Sequence, residues 1–274
     1  MPINLWLESL GSNGTTGEDS GMSQGEYSDG DVTAGHAPIV RPAPEVVPGG
    51  MIALVPIGRD GSAASGLEPL EAELAQSLPP ARRHAFIAGR VALRAALRAV
   101  DPAMSRGALL RTSRGGPKVP AGISTSVSHK RARAIALAAP LRDAHVGVDL
   151  EARPGDDARL ADWNAPRSLA RRILTAREFE AIADLDALAH REATLLRFAL
   201  KEAVYKAIDP FVQRHVRFTE VELRVEHETS HVGVAEVQLL TPEMAREPLM
   251  VQSAWWLDEG WIVAIAVSRR ATLP

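Results

Sequence analysis

The chain has 274 residues, 46% hydrophobic and 24% charged, enough for one large domain or two small ones with a real core. Cysteine is absent, which excludes disulfides, thiolate zinc sites and cysteine nucleophiles and fits a reducing compartment. The formal net charge of −3 hides an asymmetry: residues 1–50 hold seven acids against one arginine, a net of −6, so the rest carries +3. That mild basic excess suits phosphate-bearing or acidic partners and is too small to argue for nucleic acid.

The N-terminus MPINLWLESLGSNG lacks a basic region followed by an apolar core, so no secretory signal is expected. No apolar run reaches membrane-spanning length, and the cytoplasm is the expected location. Residues 11–35 are rich in Gly, Ser, Thr, Asp and Glu, and 37–50 hold four prolines; disorder is expected to about residue 48. MIALVPI (51–57) reads as a strand. From Ala81 to about Val100, Phe86, Ile87, Val91, Leu93, Ala96 and Leu97 recur near helical period, with Arg82, Arg83, Arg90, Arg94 and Arg98 between them. Residues 108–112 suggest a short strand, and RGGPKVPAG (114–122) a Gly/Pro loop. STSVSHK leads into RAIALAAP, a buried strand ending at Pro140, and HVGVDLEA (145–152) reads as another. Residues 156–190 look helical with interruptions, including a helix over LARRILTAREFEAIADL, and a long helix over 191–208 is expected to end before Asp209-Pro210. The remainder alternates as strands, with a hairpin turning at Asp258-Glu259-Gly260. The mixture indicates α+β or α/β, with no clear internal sequence repeat.

Two short stretches carry chemistry. In extended GVDLE (147–151), Asp149 and Glu151 share one face and Val148 and Leu150 the other. The carboxylates' Cα atoms would lie roughly 6.6 Å apart, a spacing that brackets one cation, or equally a half-buried edge strand with a solvated acidic face. In LKEAVYK (200–206), Leu196, Leu200, Ala203, Val204 and Ala207 form an apolar stripe, while Glu202 and Lys206 stand one turn apart on another face. Alone that is an exposed ion pair, worth ~0.3–0.5 kcal/mol. Taken together, three hard acids beside an ammonium suit a magnesium-bound phosphate ester, because magnesium takes a few carboxylates and completes its octahedron with phosphate and water. Glu202, or a water that it holds, is then the candidate base for a nucleophilic hydroxyl.

The pairing resembles the 4'-phosphopantetheinyl transferases of the two-half, surfactin/enterobactin-synthetase-activating type. That family joins a Gly-(Ile/Val)-Asp-x-Glu strand to a (Trp/Phe)-x-x-Lys-Glu-x-x-x-Lys helix. Here these are Gly147-Val148-Asp149-Leu150-Glu151 and Phe198-Ala199-Leu200-Lys201-Glu202-Ala203-Val204-Tyr205-Lys206. The likeness extends to AGRVALRAAL (88–97), GGPKVP (115–120) and SVSH (126–129), and covers about residues 51–268. It implies an α+β, pseudo-twofold fold of two similar halves with the active site between them. The implied division is an extension over 1–48, an N-terminal half over 49–144 and a C-terminal half over 145–274 bearing the metal motifs. It implies transfer of phosphopantetheine from coenzyme A to a serine of an apo acyl, peptidyl or aryl carrier protein, releasing adenosine 3',5'-bisphosphate. By the same likeness Asp149, Glu151 and Glu202 bind Mg2+, Lys206 steadies phosphate charge, and Ser128 and His129 meet the 3'-phosphate. Arg90, and less closely Arg83, match basic coenzyme-binding positions, and Gly116 and Pro117 match the adenine-lining loop. Lys130 departs from the family pattern, which has a small residue there, and Phe198 stands where many members have Trp. A monomer is expected, since a two-half enzyme completes its own site.

Two rival functions compete with this one: a non-catalytic coenzyme A-binding regulator, against which the intact acids and lysine speak, and a metal-dependent phosphodiesterase, which has no need of SVSH. His227-Glu228-Thr229-Ser230-His231 spells a zinc-protease motif, but it lies between alternating β-like runs rather than on a helix, so a hairpin turn is expected instead.

Overall fold

The computed structural model describes residues 37–58, 66–154, 166–225, 231–245, 247–258 and 260–271. Strand β1 (Ile39–Pro42) pairs antiparallel with β2 (Met51–Pro56). Helices α1 (Pro69–Gln76) and α2 (Pro80–Val100) follow, then β3 (Ser124–Lys130) and β4 (Arg133–Ala139). These strands form one antiparallel sheet in the order β1-β2-β4-β3. The second part begins with β5 (Ala144–Ala152) and continues through α3 (Pro166–Ile173), α4 (Ala176–Ala181) and α5 (Ala187–Val212). It closes with β6 (Val221–Val225), β7 (Val232–Leu239), β8 (Leu249–Asp258) and β9 (Trp261–Arg270), in a sheet ordered β5-β9-β8-β7-β6.

Side-chain size decides which face of each sheet meets what. On the first sheet Ala53, Val55, Ala134, Ala136 and Ala138 pack against Ala88, Ala92, Leu93, Ala96 and Leu97 of α2. Alanines there let the helix lie close. The opposite face presents Ile52, Leu54, Ile135 and Leu137 to Val146, Val148, Leu150, Trp256, Val263 and Ile265 of the second sheet. Helix α5 covers the far side of that sheet through Ala199, Leu200, Ala203, Val204 and Ala207 against Trp255, Ile262, Ala264 and Ala266. The layers therefore run helix, sheet, sheet, helix around a shared central core. Gly147 of β5 faces α5, and a Cβ there would sit 1.8 Å from the Ala203 carbonyl oxygen, so only glycine admits the helix.

The halves repeat one plan. The run β2, α1, α2, β3, β4 matches β5, α4, α5, β8, β9, with the sheet order β2-β4-β3 answered by β5-β9-β8. A buried polar bolt repeats as well. Glu71, at the third position of α1, accepts from Glu68 N and Arg94 Nη2 at 2.8 and 2.7 Å through Oε2, and from Leu109 N at 2.7 Å through Oε1. Glu178, at the third position of α4, accepts from Thr175 N at 2.7 Å and Lys201 Nζ at 2.6 Å through Oε2, and from Leu223 N at 2.9 Å through Oε1. Sequence comparison shows no repeat because only the roles are kept, Arg94 answering Lys201.

Several expectations change. Residues 39–42 are sheet-bound and Val47 is buried, so order begins before residue 48; residues 1–36 lie outside the described chain. The segment 108–112 makes only an isolated bridge, Arg111 to Pro117. The helix expected over LARRILTAREFEAIADL is broken at Thr175, whose hydroxyl caps the next one. Helix α5 runs through Pro210 to Val212, because a proline in the last turn forfeits a single backbone bond; Gln213 stops it in the left-handed region at φ 54°. Of HExxH, residues 227–230 lie outside the described chain, and the strands on either side, β6 and β7, pair antiparallel.

Candidate active site

The site forms where the edge strands of the two sheets adjoin. Ser124, Ser126, Ser128 and Lys130 alternate along β3 and point at β5. Ser124 Oγ accepts from Val146 N at 2.9 Å, and Ser126 Oγ from Val148 N at 3.0 Å, so hydroxyls stand in for a backbone ladder. The next serine reverses role: Ser128 Oγ donates to Asp149 Oδ1 at 2.6 Å. Lys130 Nζ lies 2.9 Å from Glu151 Oε1 and 2.6 Å from Oε2. From the other side Lys206 of α5 donates to Asp149 Oδ1 at 2.7 Å and to the Val148 carbonyl at 2.9 Å.

Asp149 and Glu151 are each 5% exposed, which rules out the solvated acidic face. Asp149 Oδ2 is buried with no hydrogen-bond partner. Burial raises the pKa of Glu151, against the pull of Lys130, and the charge of Asp149 adds to the rise. Burial likewise raises Glu202, with Lys206 opposing and Asp149 reinforcing. The carboxylates thus feel one another across β5 and α5, an excess of buried negative charge that a hard cation would relieve. Among the described residues, no three acidic or imidazole groups converge closely enough to hold a metal as they stand. Two ammonium groups occupy the space between them instead.

A cationic cluster lies on the α2 side. Arg90 is 4% exposed, its Nε and Nη2 have no partner, and its guanidinium stacks 4.6 Å above Phe86. Burial, and then the neighbouring charge of Arg111, lower its pKa to about 10. His129 is lowered by burial and then by Lys206 and Arg111, leaving a neutral imidazole at pH 7. An uncompensated buried guanidinium of this kind favours an anion. Arg111, 5.7 Å from the Phe86 ring, was not foreseen from the sequence. Its one local signal is its place at the mouth of the Gly/Pro loop. That loop closes through Thr112 N to the Gly116 carbonyl at 2.8 Å and Lys118 N to the Leu110 carbonyl at 2.8 Å. It is tied to α5 by Arg114, which donates to Asp209 Oδ2 at 2.7 Å and to the Gln213 carbonyl at 3.2 Å.

The structure thus brings Asp149, Glu151, Lys206 and Ser128 into one seam, to which Glu202 is coupled electrostatically through Lys206 and Asp149, and His129, exposed on the other face of β3, through Lys206 and Arg111; Arg90 is linked through Arg111. Gly116 and Pro117 sit on the tethered loop. Arg83 stands apart: its guanidinium donates to the Ala75, Gln76 and Leu78 carbonyls at 3.1, 3.2 and 3.2 Å, capping the end of α1.

Comparison with known proteins identifies the family. A model of the 4'-phosphopantetheinyl transferase N-terminal domain matches residues 70–139, and one of the 4'-phosphopantetheinyl transferase superfamily matches 145–266. The chain is 32% identical over 215 residues to 4'-phosphopantetheinyl transferase Svp of Streptomyces mobaraensis, across 75% of this chain and 80% of that one. It is 27% identical over 205 residues to 4'-phosphopantetheinyl transferase Npt of Nocardia iowensis, across 71% and 86%. Among solved structures, an ACPS–CoA complex from Chronobacterium ammoniagenes is 20% identical, over 47% of this chain and 98% of that one, at a TM-score of 0.36. With two consecutive family models and a relative matched over most of its length, the chain belongs to the 4'-phosphopantetheinyl transferase family.

Proposed function

We propose that the protein transfers 4'-phosphopantetheine from coenzyme A to a serine of an apo carrier protein, at the seam between β3, β5 and α5, with Mg2+ as its metal. The observation that carries the reading is the convergence on Asp149 of the SVSH strand, through Ser128, and the Lys-Glu-x-x-x-Lys helix, through Lys206. We take the halves to divide at about residue 144, with the seam between them.

The donor set fits magnesium: oxygen ligands only, a buried Asp149 Oδ2 lacking a partner, and two further carboxylates whose ionisation is opposed by burial. Asp149, Glu151 and Glu202 would hold it; when bound it neutralises charge on the pyrophosphate. Arg90 and His129 lie where the anionic far end of the coenzyme would find donors, with the Gly116-Pro117 loop beside the adenine. Ser128 can serve the 3'-phosphate only by releasing Asp149, and Arg83, whose Nε and Nη2 are committed to three carbonyls, would have to use Nη1. Lys206 holds charge on the transferred phosphoryl group. The carrier serine hydroxyl gives its proton to Glu202, whose raised pKa suits a base. Its oxygen bonds to the pantetheine-side phosphorus, and the bond to adenosine 3',5'-bisphosphate breaks. No helix among the described residues is long and apolar enough to cross a membrane. We place the enzyme in the cytoplasm as a monomer.

The test is mass spectrometry of apo acyl, peptidyl and aryl carriers incubated with the protein, coenzyme A and Mg2+. A gain of one phosphopantetheine on at least one carrier is expected, and no gain on any would refute the reading. Asp149→Ala and Glu202→Gln should each lower transfer by at least about a hundredfold while the protein stays folded.

A further inference from the structure

Lys130 is the one member of the site at odds with the family pattern, and its placement is built rather than incidental. It is the fourth of the alternating side chains of β3 that face β5, after three serines that each bond β5. Its backbone is fixed by pairing with Arg133 across the hairpin, beside Arg131 at φ 47°. Its ammonium reaches both oxygens of Glu151, at 2.9 and 2.6 Å. The two partners differ sharply in exposure: the Lys130 side chain is 40% exposed and that of Glu151 7%. The carboxylate therefore cannot leave, while the ammonium can swing to water. Asp149 Oδ2 has no partner to give up, so Glu151 is the ligand whose capture is contested.

We propose that Lys130 is the resident counter-ion of Glu151, which a divalent cation must displace, so that this residue sets the metal affinity of the site. The proposal rests on the reading that Asp149, Glu151 and Glu202 hold the metal. An ammonium on Glu151 neutralises the ligand in the metal-free protein and repels an incoming cation at contact range. The consequence is a metal site that fills late: magnesium binds weakly to the free protein and better once the coenzyme pyrophosphate contributes oxygens.

The test is direct metal binding, not turnover. Mn2+ stands in for Mg2+, and free Mn2+ is measured by electron paramagnetic resonance on the full chain at pH 8. Lys130→Met and Lys130→Ser should bind Mn2+ about tenfold more tightly than wild type without coenzyme A, from the loss of one positive charge at contact range. Lys130→Arg, which keeps the charge, should remain near wild type. In a Glu151→Gln background, Lys130→Met should bring no gain. Mn2+ binding by Lys130→Met equal to or weaker than wild type would overturn the proposal, as would a gain that persists with Glu151→Gln. If neither wild type nor Lys130→Met binds Mn2+ even with coenzyme A, the metal reading falls and this proposal with it. Binding that is present but indifferent to residue 130 removes this proposal alone.

Discussion

Single residues set the chemistry here by being buried with charge. Glu202 illustrates the cost. Its folded pKa is raised, so its protonated form is favoured by folding; the stability this gives is fully present below the unfolded value near ~4.3 and is lost as pH rises through the folded value. At neutral pH the ionised side chain therefore weighs against the fold. Glu202→Gln should melt about 2 °C higher than wild type at pH 7.5 in a metal chelator, and the difference should vanish at pH 4. Scanning calorimetry at the two pH values decides it; a lower melting temperature at pH 7.5 would show that Glu202 stabilises the fold. The shared face of Asp149 and Glu151 was legible from the strand's alternation, since a period of two assigns faces without any tertiary knowledge. Arg111 was not, because its place beside the Gly/Pro loop is a weak signal among many surface arginines; its neighbours Phe86 and Arg90 lie on a different element.

At the scale of elements, the Lys-Glu pair of the helix motif separates into two tasks. Glu202 faces the site, while Lys201, its neighbour, turns away to bind Glu178, Ile173 O at 2.6 Å and Phe218 O at 3.0 Å. Its side chain is 0% exposed and that of Glu178 1%, and burial drags the lysine pKa down against the carboxylate's support. Lys201→Met should cost about 3–5 kcal/mol in chemical denaturation, because it leaves a buried carboxylate unpaired, and Lys201→Met with Glu178→Gln should recover much of that. A double variant no better than the single one would show that the partner is not what the lysine serves. The Gly/Pro loop poses a different question. Arg114 is hydrogen-bonded to Asp209, which raises its pKa, but it is exposed, so it matters for where the loop sits and not for global stability. Arg114→Ala should raise KM for coenzyme A about threefold with an unchanged melting temperature, as the loop leaves its docked position part of the time. An unchanged KM would mean that the loop holds its place without the tether.

At the scale of the whole molecule, the two halves repeat one plan, but the acids and lysine of the candidate site are not repeated with it. Matching Arg94 to Lys201 sets Ala95 and Ala99 of α2 against Glu202 and Lys206 of α5, and Arg90 against Arg197. On the strands, Ala53 and Val55 of β2 face their helix where Asp149 and Glu151 of β5 face theirs. The positions related to Asp149, Glu151, Glu202 and Lys206 are thus alanine or valine. The two sheets share one core, in which Ile52 and Leu137 meet Val148 and Trp256. The protein should therefore unfold in a single transition, seen alike by tryptophan fluorescence, whose buried reporters Trp255 and Trp256 lie in the second half, and by far-ultraviolet circular dichroism. Two separated transitions would show that the halves stand alone.

The sequence by itself determined most of the strand and helix segments, though not β1 or α1, and which carboxylates share a face, because hydrophobic period and motif spacing are local properties of the chain. It also pointed to the family through motifs kept in order. Only the tertiary structure decided that β1 belongs to the sheet, that α5 outlasts Pro210, that Arg83 caps α1 and that Lys130 sits on Glu151. Each of these depends on a partner that the local pattern does not name, near in the chain for Arg83 and on another strand for Lys130, or on whether a last-turn bond is worth more than the proline takes away. The twofold plan itself was hidden for the same reason: it survives in sheet order and buried hydrogen bonds, which conserve roles in space while the side chains that fill them change.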